Sequence, residues 1–461
     1  MDKVQSVVNF VLGLGASVLL PIIIFILAVI FGAKPGKSIR SALMVGVGFI
    51  GIGLISGLLG GELGPASQAM VQRMGIQLSI IDVGWPAAAA IAFGSQIAAL
   101  IIPIGILVNL VLLLANVTKT LNVDIWNFWH YAFVGAIVQA VTGSVWMGLI
   151  TAMIALAITL FFADWTAPAV QQLIGIPGIS LPHGFSTAFV LPAIIVNKII
   201  DKIPGLNKLE ADPEAIQKRF GVFGEPVIVG GVIGLIIAAL GYAGAGAFTE
   251  WFPKVLKVGI SMAAVMVLYP RMVALLMEGL IPLSEAAREF LQKKASNREV
   301  YIGLDSAIAV GHPTSIATAL LMVPITLLLA VILPGNKVLP FGDLATIPFL
   351  VAMMVPIVSG NVVRATITST VVMIPTIYIM NAISGLHTQV ARASGFAFPE
   401  GATAISSICD GGNWISALLA WISQTNFWIG NIIVVAVLAI VWFLFKKNTA
   451  AWHKVAGFKA N

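Results

Sequence analysis

Ionisable side chains inside long apolar stretches are the residues of this chain best suited to bind a polar solute. His183 lies in a Pro-His-Gly turn and Glu400 in a Pro-Glu-Gly turn, each within largely apolar sequence. Proline and glycine end a helix and free its backbone groups, as at the tip of a re-entrant hairpin. We therefore expect His183 and Glu400 to line one cavity. The alternative is a structural ion pair, or two tips that only reach water.

Carboxylate and histidine side chains at other glycine and proline turns form a second group. Asp305 lies in a Gly-Leu-Asp-Ser segment, His312 in a Gly-His-Pro-Thr segment, and Asp82 shortly before Trp85 and Pro86. A carboxylate at such a turn suits the acceptance of hydrogen bonds from hydroxyl groups. For Asp305 the alternative is an ordinary helix N-cap.

Two more polar residues complete the predicted solute contacts. His130 follows Trp126 and Trp129, so it is either a contact or an interfacial residue of an aromatic belt. Asn361 precedes Arg364, which pairs with a carboxylate or contacts the solute. The predicted contacts are thus His183, Asp305, Glu400, His130, His312, Asp82 and Asn361.

Motifs for covalent, metal or nucleotide chemistry are missing from the sequence. There is no catalytic serine triad pattern and no His-Glu-x-x-His, and we expect no cofactor and no metal. The glycines at 46–51 match a dinucleotide fingerprint but lie in an apolar span, where glycines serve helix packing. The single cysteine, Cys409, excludes an internal disulfide, and we expect it to be inert.

Composition indicates the elements that must position these residues. Of 461 residues, 59% are apolar and 10% charged, with a mean hydropathy of +1.02. Soluble chains are about one-quarter charged, so the main solvent here is lipid. The net charge of +6 lies in loops and tail, which suits anionic lipid better than nucleic acid. Apolar stretches lie at roughly 5–32, 41–60, 86–115, 131–162, 186–200, 226–248, 257–280, 301–333, 344–382, 402–422 and 427–445.

An internal repeat organises these stretches. Shifting the chain by 217 residues aligns several separate segments, among them 65–69 with 282–286 and 178–184 with 395–401. The first loop and the central linker are rich in lysine and arginine, so we expect both to be cytoplasmic. The N-terminus is then outside and the C-terminus inside. We therefore expect an all-α polytopic membrane protein of about eleven transmembrane helices: two inverted copies of five, then one more. Such repeats are typical of transporters that bind solute between discontinuous helices.

The repeat also divides the chain. We expect scaffold segments at 1–60 and 226–280, solute-carrying core segments at 61–200 and 281–426, a cytoplasmic linker at 201–225, and a final helix and tail at 427–461. Gln96 and Gln139, each inside an apolar span, are expected to bond between helices.

The segments 178–197, 301–324 and 358–364 resemble the membrane subunit, enzyme IIC, of bacterial galactitol phosphotransferase systems, with a more distant likeness to the ascorbate permeases. The likeness covers essentially the whole chain. It implies an inner-membrane homodimer with two re-entrant hairpins and an elevator mechanism. It also implies a polyol solute, a cytoplasmic IIB subunit that phosphorylates it from a phosphocysteine, and a IIA subunit that recharges IIB.

The resemblance also bears on individual residues. Histidines and an aspartate that bind solute in the ascorbate relative fall on His130, His183 and Asp305, whereas Gly184 and Val134 stand where that relative has glutamines. These departures suit a flexible polyol. The expected function is therefore a galactitol permease with no phosphorylated residue of its own. The alternative is an ion-coupled secondary transporter that uses Glu400 or Asp305.

Overall fold

The computed structural model describes residues 16–30, 32–73, 80–124, 126–209, 226–294, 300–340, 343–394 and 404–459. Most of them are helical. The helices are α1 Ala16–Ile30, α2 Pro35–Arg73, α3 Gly84–Gly94, α4 Ala98–Leu114, α5 Trp129–Thr142, α6 Val145–Ile174, α7 Val190–Lys202, α8 Pro226–Tyr242, α9 Phe248–Lys294, α10 Ala307–Val310, α11 Pro313–Ile332, α12 Ile347–Ala352, α13 Met354–Ile357, α14 Val362–Ala393, α15 Trp414–Lys447 and α16 Thr449–Val455.

Four of the described helices are long and apolar enough to cross a membrane: α6, α11, α14 and α15. Several expected spans are instead divided. The stretch at 131–162 breaks at Gly143, whose φ of 70° is left-handed, and Ser144 then caps α6. Glycine adopts that conformation at little cost, and a capping hydroxyl starts a new helix. The chain is therefore helical and polytopic, with more helix breaks than hydropathy predicts.

Helix α15 contains a break of its own. Asn426 has φ −161° and ψ 108°, so the helix is two segments that meet at this residue. The Asn426 side chain accepts a hydrogen bond from the Ile429 N–H at 3.1 Å, which restarts the second segment. This break coincides with the division expected between 426 and 427.

Helices α1, α2, α8 and α9 pack mainly on one another. Gly279 lies where a side chain would meet the Ser41 carbonyl, and Gly241 where one would meet the Ala66 carbonyl, so small residues allow close approach. An ion pair of 2.6 Å joins Lys257 to Glu62 across the two halves. The expected divisions at 60/61 and 280/281 fall inside the continuous helices α2 and α9.

Two small parallel sheets, absent from the all-α expectation, lie among the remaining helices. The strands are β1 Ile80–Asp82, β2 Thr120–Asn122, β3 Ile179–Ser180, β4 Tyr301–Gly303, β5 Val338–Leu339 and β6 Ala404–Ser406. Their orders are β5-β1-β6 and β2-β4-β3. Each central strand thus comes from one half of the chain and both of its neighbours from the other half. Strands of two or three residues are too short to show an alternating pattern in sequence.

Close packing of α5 on α6 gives a stability prediction. A methyl group at Gly148 would overlap the Gly135 carbonyl oxygen and the Ile97 side chain. We expect Gly148→Ala to lower the free energy of unfolding by about 1–3 kcal/mol through overpacking. The thermal unfolding midpoint of the protein in detergent, followed by tryptophan fluorescence, measures this.

Gly385→Ala is the matched control, because Gly385 is helical and no heavy atom lies within 4 Å of the place that an added methyl group would take. It should raise the stability by up to about 1 kcal/mol, since alanine favours a helix. Equal destabilisation by both variants would contradict the packing assignment.

Candidate functional site

The carboxyl ends of β2, β3 and β4 deliver three polar side chains to one place. Asp124 follows β2, Asp305 follows β4 and His183 follows β3. Because the strands are parallel, with Ile302 beside both Leu121 and Ile179, the residues after each strand emerge at the same edge. All three side chains are buried.

Hydrogen bonds join these side chains. Asn127 Nδ2 donates to Asp124 Oδ2 at 2.7 Å and to Asp305 Oδ2 at 3.0 Å. His183 Nε2 lies 3.8 Å from Asp305 Oδ1. The Ser186 N–H points at His183 Nδ1 at 3.3 Å, so Nδ1 is the acceptor and Nε2 carries the proton that faces Asp305. Asp305 Oδ1 also accepts from the Ala307 N–H at 2.9 Å, so it combines the expected cap with a site position.

The other half of the chain completes the group through α5 and the loop after β6. His130 Nδ1 lies 3.0 Å from Asp410 Oδ2, and its ring centroid lies 4.7 Å from that of His183. Asn413 Nδ2 donates to the Gly184 carbonyl at 3.1 Å. We call Asp124, Asn127, His130, His183, Asp305, Asp410 and Asn413 the central cluster.

Gly184 permits the contact between the two histidines. A Cβ at this position would lie 2.6 Å from the His130 Cβ. The absence of a side chain therefore lets the loop of His183 approach α5.

Several buried polar atoms in or beside the cluster have no hydrogen-bond partner among the described residues: His130 Nε2 and Asp124 Oδ1 in it, and Trp129 Nε1 and Asn122 Nδ2 beside it. Two of them, on Trp129 and Asn122, are donors, and Asp124 Oδ1 is an acceptor. His130 Nε2 is an acceptor when Nδ1 donates to Asp410. Solute hydroxyl groups both donate and accept, so they match this mixture.

The cluster is also unbalanced in charge. Asp124, Asp305 and Asp410 are buried, and no lysine or arginine of the described ranges pairs with them. Buried carboxylates need partners that are hydrogen-bond donors or cations. The ligand atoms of His130, Cys409 and Asp410 lie within 4.8 Å of one another, a spacing that also suits a metal ion.

Asp82 lies at the corresponding edge of the other sheet. Its Oδ2 accepts from the Asp343 N–H at 2.8 Å and its Oδ1 from the Gly84 N–H at 3.0 Å. Asp343 in turn accepts from the Trp85 N–H at 2.8 Å and from the Cys409 N–H at 2.7 Å. These two aspartates clamp three loops together, and Cys409 connects the clamp to Asp410.

The remaining predicted residues lie elsewhere. His312 caps α11 by accepting from the Thr314 N–H at 3.2 Å. Asn361 caps α14 and donates to the Leu209 carbonyl at 2.6 Å, beside a separate surface cavity. Glu400 lies outside the described residues. Gln139 of α5 does bond Gln96, at 2.9 Å, but Gln96 lies in the turn between α3 and α4, so the bond joins a helix to a turn.

Four members of the central cluster were missed from sequence: Asp124, Asn127, Asp410 and Asn413. Asp124 and Asp410 are ionisable residues in apolar surroundings, which is the signal that singled out His183. The two asparagines have no such signal, because asparagine is equally common in turns and caps.

A buried polar cluster beside interrupted helices, in a chain with apolar helices long enough to span, is typical of a membrane transporter. Comparison with known proteins agrees. The family model for the sugar-specific permease component of the phosphotransferase system matches residues 10–401. The chain belongs to this family and is therefore a multi-pass membrane protein of sugar transport.

Curated relatives match over nearly their full lengths. The galactitol-specific EIIC components of Escherichia coli strain K12 and of Escherichia coli O157:H7 are both 41% identical over 455 residues, which cover 98% of this chain and 97% of each relative. A putative permease IIC component of strain K12 is 40% identical over 441 residues, 95% of this chain and 99% of that protein.

The clamp gives a prediction independent of solute. Asp343→Ala leaves the buried Cys409 N–H and the partly buried Trp85 N–H without acceptors, at about 1–3 kcal/mol for the buried group and less for the other. We expect a clearly lower thermal unfolding midpoint in detergent. Asp201→Ala serves as the control, because Asp201 is an exposed partner of Arg364 and its loss should cost less than about 1 kcal/mol. Similar losses in both variants would contradict a clamping role.

Proposed function

We propose that this chain is the galactitol permease, enzyme IIC, of a phosphotransferase system in the bacterial inner membrane. The observation that carries the proposal is the central cluster, whose unpartnered donors and acceptors suit a flexible polyol. The near full-length likeness to two galactitol-specific relatives supports galactitol as the polyol. His183, Asp305 and His130 are the principal contacts. Asp82, His312, Asn361 and Glu400 stay predicted contacts, although the first three already make structural hydrogen bonds.

In this proposal the phosphoryl group comes from a cysteine of a cytoplasmic IIB subunit, which a IIA subunit recharges. The S–P bond of the phosphocysteine breaks, a bond forms between phosphorus and a galactitol hydroxyl oxygen, and the cysteine leaves as thiolate. The hydroxyl proton passes to the His183–Asp305 pair. The contribution of this chain is therefore mainly positional, since it orients one hydroxyl toward the donor.

The proposed architecture is an inverted repeat of five and five spans plus one, in a homodimer with an elevator mechanism. The strand order of the two sheets supports the repeat. In one sheet a strand of the first half lies between two strands of the second half, and in the other sheet a strand of the second half lies between two strands of the first. The mutual packing of α1, α2, α8 and α9 supports a scaffold that is separate from the carrying core. The N-terminus is periplasmic and the C-terminus cytoplasmic, as the basic loops favour.

An ion-coupled transporter of unmodified solute is the second candidate. The excess of buried carboxylates in the central cluster favours it, because a proton or a cation would balance that charge.

Uptake of radiolabelled galactitol into vesicles that contain this chain separates the two candidates. With phosphorylated IIB enclosed on the cytoplasmic side, we expect the label to accumulate as galactitol phosphate, and without IIB we expect no accumulation. Accumulation of free galactitol under an imposed ion gradient, without IIB, would establish the second candidate instead.

Single substitutions in the cluster test its role in binding. We expect Asp305→Asn and His183→Ala to weaken galactitol binding at least tenfold, because a charged hydrogen bond contributes about 1.5–3 kcal/mol. Binding to the purified dimer is measured by calorimetry, with size-exclusion profiles to check folding. Glu250→Gln, an exposed carboxylate change outside the cluster, should leave binding unchanged.

Cys409→Ser tests where the phosphoryl group is carried. Phosphorylation of galactitol by IIB should survive this change, because the proposed donor cysteine belongs to IIB. Loss of phosphorylation with intact binding would show that Cys409 itself carries the group.

A further inference from the structure

A large basic cavity opens at the surface away from the central cluster. Its volume is about 1690 Å³, and we call it the basic vestibule. Five cationic residues and one aspartate line it: Lys119, Lys198, Arg364, Lys454, Lys459 and Asp201. Arg364 bonds Asn197 at 2.9 Å and Asp201 at 2.8 Å, so that carboxylate is already engaged. Lys198, Lys454 and Lys459 form no ion pair within the described ranges, and all three are exposed.

The C-terminal segment builds one wall of the vestibule. Trp165 Nε1 donates to the Trp452 carbonyl at 2.6 Å. The Gln172 side chain donates to the Lys459 carbonyl at 2.9 Å and accepts from the Lys459 N–H at 3.0 Å. Gly457 has φ +99° and lies against the carbonyls of 356 and 357, where a side chain would not fit. The tail is thus fixed at several points, and these contacts hold Lys454 and Lys459 at the cavity.

The floor of the vestibule and the central cluster share one small sheet. Lys119 and Tyr301 lie at the amino ends of β2 and β4, and the Lys119 ammonium lies 5.6 Å from the Tyr301 ring centroid. The same strands carry Asp124 and Asp305 at their other ends. At about 3.3 Å per residue, the four steps along the chain from Tyr301 to Asp305 span at most about 13 Å. The vestibule and the cluster therefore lie on opposite ends of one small sheet.

Charge and size together identify the occupant. Five cations around one cavity favour a multiply charged anion, and phosphate is recognised by such groups. Pockets for small ligands usually measure about 300–1,000 Å³, so this cavity is larger than a hexitol phosphate needs. It has room for a protein loop that carries the phosphate.

We propose that the basic vestibule is the docking surface for the phosphorylated loop of the protein that donates the phosphoryl group. The proposal rests on the proposed function and adds the residues of contact. Lys454, Lys459 and Lys198 attract the phosphorylated loop, and the ordered tail fixes two of these three lysines before the donor arrives.

The test compares two double variants with the same change in net charge. Lys454→Glu with Lys459→Glu reverses two charges of the vestibule wall. Lys202→Glu with Lys447→Glu reverses two exposed charges that do not line it, one of them on the helix that carries Lys198. The purified proteins in neutral detergent are assayed for galactitol phosphorylation against increasing phosphorylated IIB, and for galactitol binding without IIB.

We expect the vestibule variant to raise the KM for phosphorylated IIB at least about tenfold and to reduce its salt dependence, because rim charges act mainly on association. Galactitol binding without IIB should be unchanged, and the control variant should behave as wild type. An unchanged KM in the vestibule variant, or an equal rise in both variants, would overturn the proposal. A rise found only in vesicles of anionic lipid would also overturn it, since the lysines would then serve the lipid surface.

These outcomes are separable from failure of the proposed function. If the wild-type chain binds no galactitol, or does not support its phosphorylation by IIB, the function itself is wrong. If the wild-type chain is active and only the KM comparison fails, the permease assignment stands and the docking surface lies elsewhere.

Discussion

Burial of carboxylates inside an apolar protein is the constraint on which the rest of this structure depends. Each costs several kcal/mol unless hydrogen bonds or opposite charges compensate it. Asp164 and Asp343 are compensated by local donors. Asp164 accepts from the Thr118 and Thr120 hydroxyls at 2.8 and 2.7 Å and from the Lys119 N–H at 2.9 Å, which fixes the start of β2. Asp124 and Asp305 share one asparagine amide, and Asp124 Oδ1 has no hydrogen-bond partner among the described residues.

The two small sheets satisfy the backbone hydrogen-bonding groups of non-helical segments in the protein interior. A membrane segment that leaves the helix must satisfy its N–H and C=O groups within the protein. Short parallel strands do so by pairing with strands from the other half of the chain, with Asp82 beside Ser406 and Asn122 beside Gly303. The pairing also aligns the residues that follow each strand. Strand pairing therefore both satisfies the backbone hydrogen-bonding groups and assembles the cluster.

The position of the vestibule follows from the same sheet. The strands β2 and β4 hold the cluster residues at their carboxyl ends, and their amino ends lie at a surface rich in lysine. The basic vestibule and the central cluster thus lie at opposite ends of these strands.

The sequence by itself determined the class of protein, because hydropathy, scarce charge and loop basicity are local or additive properties. It also singled out His130, His183 and Asp305 as candidates for solute contact, since an ionisable residue in an apolar stretch is visible without any contact. Only the tertiary structure decided that these three meet one another and Asp410. It also decided that Asn361 and His312 serve as caps, and that strands of two or three residues exist. Those outcomes depend on pairing between halves of the chain far apart in sequence, which no local pattern records.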